Sequence, residues 1–78
     1  MKRLGRFKIS LDLIKQSPWL IQRIMSQCII VRAELLYIGN VVEYEAISYR
    51  FDLVKENGAI PSYLWAFSPD ADIEAVKL

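Results

Sequence analysis

Phe7, Ile9 and Leu11 alternate with Lys8, Ser10 and Asp12. This period of two marks a strand with one buried face and predicts a first strand ending near Ile14. The period then changes. Ser17 is followed by Pro18, the residue pair that opens helices: a hydroxyl able to accept from a free backbone N–H, then a ring already set to helical φ. Leu20, Ile21, Ile24 and Met25 share one face at helical spacing, which predicts a helix of about ten residues. A helix that short holds its shape only when its apolar face packs on something larger.

Residues 28–51 read as a long hairpin centred on Gly39 and Asn40. Gly39 can supply the positive φ of a tight turn, and a two-residue loop suits the twist of the flanking strands. That loop sets Leu35 opposite Tyr44, Ala33 opposite Ala46 and Val31 opposite Ser48, the expected core face. On the other face, with Arg32, Glu43, Ile47 and Tyr49, it sets Glu34 opposite Glu45. Like charges so placed are destabilising, so a cation is expected nearby: Arg32 on the diagonal, or a side chain of another subunit.

Residues 52–62, with Asn57-Gly58 and Pro61, are predicted as a loop, and residues 63–67 as a short aromatic strand. Ser68-Pro69-Asp70 can open a helix or form a turn; the turn, followed by a final strand over 73–78, is the favoured reading. The pattern as a whole predicts one α+β domain spanning residues 1–78. Its small, mainly antiparallel sheet has four or five strands with one helix packed on one face, preceded by a basic arm over residues 1–5.

Size sharpens this picture. A chain of 78 residues buries only about 60% of its unfolded surface, and a single cysteine with no histidine rules out an intrachain disulfide and the usual zinc sets. Yet 54% of the residues are hydrophobic, more than so small a globule needs. A homo-oligomer is the expected way to cover the excess. Apolar runs such as 28–31 and 35–38 are far short of the ~20 residues of a spanning helix. No apolar stretch follows the basic start as a signal peptide requires. The expectation is a cytoplasmic protein that does not enter the membrane.

Catalytic chemistry finds little to work with. Cys28 has no histidine to activate it and is expected to be a structural thiol. Three scattered glycines make no phosphate loop, and the acidic run at 70–74 lacks the glycine and distant glutamate of a calcium loop. No enzyme and no cofactor are expected. A net charge of +1, with Glu34, Glu43 and Glu45 on one strand face, also speaks against extended nucleic acid. A small anionic ligand is penalised less, because one or two arginines and a ring can hold it without a wide positive field.

The segments RFKISLDLIK, IIVRAELLY, VEYEAISYRFD and IPSYLW, in that order, resemble small proteins encoded by bacteriophages, among them counter-defence proteins. Some of those act as sponges that bind, without cleaving it, the cyclic nucleotide by which an infected bacterium triggers its own death. The resemblance implies a non-catalytic accessory protein of the host-cell cytoplasm that sequesters a nucleotide second messenger as an oligomer. The alternative is an interaction module that inhibits a host protein through its sheet face or edge. For a nucleotide, the expected ligand residues are Arg32 and Arg50 for phosphate and Tyr49 and Trp65 for stacking, since arginine matches phosphate oxygens with paired donors.

Overall fold

The computed structural model describes residues 1–68 and 72–78. Its elements run β1 (Lys2–Ser10), α1 (Leu11–Gln16), α2 (Pro18–Met25), β2 (Ile29–Leu36), β3 (Val41–Ile47), β4 (Leu53–Val54), β5 (Tyr63–Phe67) and β6 (Ile73–Lys77). The first four strands form an antiparallel sheet in the order β2-β3-β1-β4, and β5 and β6 form a separate antiparallel pair. This is a small α+β fold. None of its described helices is long and apolar enough to cross a membrane.

The first strand differs at both ends from the alternation in the sequence. The basic segment expected as an arm is part of β1, which pairs with β3 from Leu4 to Ser10 and with β4 at Lys2 and Arg3. Arg3 is committed to the structure, donating from Nη1 to the Phe51 carbonyl at 2.9 Å. At the far end, Ser10 stops the strand and caps α1: its hydroxyl accepts from the Leu13 N–H at 3.1 Å. Leu11 therefore starts a helix instead of continuing the alternation. A serine with extended backbone satisfies the free donors of a first helical turn, and three apolar residues among Leu11–Ile14 suit either period. The second helix begins at Pro18, as the Ser-Pro pair predicts, and buries Ile24.

The hairpin is wider than expected. Residues 37–40 form the loop, with Gly39 at φ +85° and Asn40 at +56°. Consequently Leu35 faces Val42, Ala33 faces Tyr44, Glu34 faces Glu43 and Arg32 faces Glu45. The slip of two residues keeps residues 32–36 on their expected face, because the pleat also repeats every two residues, but past a bulge Ile30 pairs with the core residue Ala46. The slip moves the like-charge opposition of Glu34 from Glu45 to Glu43 and pairs Arg32 with Glu45. A bulge between Ile30 and Arg32 then leaves Val31 without the partner Ser48. The short β4 falls inside the stretch expected as loop. The turn read at Ser68-Pro69-Asp70 involves residues 69–71, which lie outside the described residues; the final strand after it is β6.

The core is aromatic. Phe7 and Ile9 of β1 and Ala46 of β3 meet Ile24 of α2, Phe51, and Tyr63, Trp65 and Ile73 of the β5–β6 pair. Phe51 stacks on Tyr63 with centroids 4.4 Å apart, and Trp65 stands edge-on to Phe7 at 5.6 Å. The Tyr63 hydroxyl accepts from the Asp52 N–H at 2.8 Å, so the ring is pinned at its tip as well as its face. This layer covers β1 and β3. It stops short of β2, whose residues are exposed from Ile29 to Leu35.

Candidate functional site

Among the described residues, two places gather charged or exposed side chains that could meet a ligand or partner. The first is a corner where β3 ends. Ser48 turns the chain: its hydroxyl accepts from the Arg50 N–H at 3.1 Å, and its carbonyl accepts from the Phe51 N–H at 3.1 Å. The turn projects Tyr49 into solvent and sets the Arg50 guanidinium carbon 5.3 Å from the Tyr49 ring centroid. Gln27, just after α2, holds the pair by accepting from Arg50 Nε at 2.8 Å and from the Tyr49 hydroxyl at 3.4 Å. Arg50 also lines a hollow of about 420 Å³ with Phe67, Asp72 and Glu74. A ligand there would meet a fixed cation beside a ring, opposite two carboxylates. That pattern suits a group with both an anionic and a donor edge.

Of the four residues expected to hold a nucleotide, the structure brings only Tyr49 and Arg50 together. Trp65 is 8% exposed, and Phe7 and Phe51 occupy the space about its ring, so it is core. Arg32 lies on the opposite sheet face, bonded to Glu34 at 2.6 Å and to Glu45 at 3.3 Å. Gln27, which orients the corner, carried no signal in the sequence, because its contact depends on how α2 returns to the sheet.

The second place is that opposite face together with its edge. Across β1 and β3, Arg6 faces Glu45 and Lys8 faces Glu43. Arg6 Nη2 donates to Glu45 at 2.9 Å, its Nε lies 3.4 Å from Glu43, and Lys8 Nζ lies 4.0 Å from Glu43. The Arg6 hydrogen bond holds the Glu45 carboxyl below the usual glutamate range; burial opposes the shift, and the charges of Arg6 and Arg32 reinforce it. The cations that answer the glutamates thus come mainly from β1, the segment the sequence offered as an arm. Counting Arg6 and Lys8 along the period-two pattern from Lys2 would have found them.

Beyond Arg32 and Glu34 the sheet simply ends. The edge strand β2 leaves Val31 57% and Leu35 44% exposed, with Ile29 and Ile30 beside them. Val31, Ala33 and Leu35 were expected on the core face, and their face is correct, but nothing covers them. An open edge of this length offers both backbone donors and acceptors and apolar side chains.

Burial pushes the Cys28 thiol up, with a Ser48 hydrogen bond acting in the other direction, and burial also raises the Tyr44 hydroxyl. A comparison with protein-family models, curated proteins and solved structures finds no match, so what this chain does must be read from its own residues.

Proposed function

We propose that this protein acts by stoichiometric, non-catalytic binding, and that the edge strand β2 is its docking strand. The observation that carries the reading is the eight-residue length of β2 with its apolar side chains uncovered, whereas β1, β3, β5 and β6 each send at least one side chain into the core. Natural edges are blunted by shortness, proline, charged side chains or bulges. The opposite edge, β4, is two residues long, whereas β2 has neither proline nor lysine in IIVRAELL, its bulge lies at one end between Ile30 and Arg32, and its two charges sit on the face away from Val31 and Leu35. The raised Cys28 thiol fits a role without chemistry, and the chain would work as an oligomer in the cytoplasm. Sedimentation of the parent beside the V31K/L35K variant tests the reading. Both positions are exposed, so the variant keeps its circular dichroism and melt but sediments as a smaller species. A variant that sediments like the parent would sink the proposal.

A second reading concerns the ligand. The Tyr49–Arg50–Gln27 corner supports capture of a small nucleotide second messenger, which would make the protein a phage-type sponge that counters host defence, as the resemblance suggests. A ligand present at a hundred times its Kd stabilises the folded chain by about 2.7 kcal/mol. Screening cyclic di- and trinucleotides by melting shift should therefore find one that raises the parent and leaves Arg50→Ala unmoved. A flat screen refutes this reading and leaves the docking strand intact.

A further inference from the structure

The geometry points to a second copy of this chain as the occupant of the β2 edge, paired antiparallel about a two-fold axis at Ala33, with Arg32 of each protomer facing Glu34 of its partner. The inference rests on β2 being the docking strand and adds what docks there and in which register.

Symmetry limits the choices. Two antiparallel edge strands can be related only by an axis normal to the sheet, which keeps each face on the same side in both copies. Each charged residue of β2 then meets a residue of its own face, since side chains alternate along a strand. Arg32 and Glu34 share one face and lie two residues apart. An axis at Arg32 would set arginine against arginine, and one at Glu34 would set glutamate against glutamate. Only an axis at Ala33 pairs the opposite charges, twice, around a small side chain.

The same register answers two problems of the isolated chain. Glu34 lies directly opposite Glu43 within the hairpin, where like charges repel. Within one chain Arg32 is shared between Glu34 at 2.6 Å and Glu45 at 3.3 Å, and a partner's Arg32 on the other side of Glu34 adds a second cation. Val31 meets Leu35 of the partner, covering the two apolar side chains that the helices do not reach. The exposed surface is in keeping: 5437 Å² against roughly 4,850 Å² for a compact monomer of this mass. That surplus of about 600 Å² approaches the ~800 Å² each partner buries in a standard interface. Joining the edges makes one eight-stranded sheet.

Charge reversal tests the register. E34R exchanges an exposed bond to Arg32 for a pairing with Glu43, so its monomer should melt close to the parent, yet its homodimer would oppose arginines. R32E opposes glutamates. By sedimentation, each variant alone should show a dimer Kd raised about tenfold or more. An equimolar mixture of E34R and R32E should recover a heterodimer as tight as the parent, because both cross pairs are then opposite in sign. The doubly swapped R32E/E34R chain should also dimerise, which provides the test if R32E alone folds poorly. A parent that sediments as a 9.0 kDa species at micromolar concentration overturns the inference. So does E34R dimerising like the parent. If V31K/L35K is monomeric while E34R still dimerises, the register is wrong and the docking strand stands; if V31K/L35K also dimerises, the docking strand itself is wrong.

Discussion

Replacing Gly5 by alanine is the smallest change that should damage this fold. Gly5 sits in β1 opposite Ala46, on the face that packs against the aromatic layer. A Cβ built there lies 2.7 Å from Cδ2 of Phe51 and 2.8 Å from Cδ2 of Tyr63, well inside van der Waals contact. Neither ring can give way easily. Phe51 is wedged between Tyr63 at 4.4 Å and Trp65 at 5.8 Å, and the Tyr63 hydroxyl is tied to the Asp52 backbone at 2.8 Å. Overpacking of this kind costs about 1–3 kcal/mol. Alanine recovers about 0.4–1 kcal/mol by restricting the unfolded chain. The net loss should be about 1–2 kcal/mol, which in a domain this small lowers Tm by roughly 5–15 °C. Thermal and urea melts at fixed protein concentration measure it, with an unchanged m-value showing that the unfolded state is not responsible. Gly5→Ala melting at or above the parent would mean that the two rings are not held as described.

Two further outcomes follow from the hairpin and the charged face. Gly39 is solvent-exposed with nothing within 4 Å of a built Cβ, so Gly39→Val loses stability only through its φ of +85°, by about 1–2 kcal/mol. Asn40→Gly, at φ +56°, should be nearly neutral; a Gly39→Val variant with the parent's urea midpoint would refute the turn. Because Arg6 holds the Glu45 carboxyl below its ordinary 4.5, ionised Glu45 favours the folded state. Its contribution is complete above that ordinary value and disappears as pH falls through the lower folded one. The stability difference between the parent and Glu45→Gln should therefore shrink on acidification below about pH 5, and a difference constant down to pH 3 would refute the pairing.

What the chain determined alone is its local alternation. The second helix from Ser17-Pro18, the aromatic strand over residues 63–67, the final strand and the faces of the hairpin follow from side-chain periods and from residues whose backbone preferences are strong. These need only near neighbours. Other features depended on competition between distant groups. Leu11 could have extended β1, but the Ser10 hydroxyl captured the Leu13 N–H and began a helix. Glycine and asparagine permitted a two-residue loop, but the wider loop let Arg32 face Glu45 while Arg6 came in from β1. The basic segment looked like an arm only because its partners lie some forty residues away in sequence.

The candidate sites divide in the same way. Tyr49 and Arg50 were legible because they adjoin each other in a strand-end sequence, whereas Gln27 meets them only through the packing of α2. Trp65 has the composition of a stacking platform, and only the aromatic layer around it made it core. The exposure of β2 was least legible of all. Val31, Ala33 and Leu35 read as buried, and they face the right way, but how far a helix covers a sheet is set by the path of the whole chain. Tertiary structure therefore decided where the core stops, and with it which strand is left to bind.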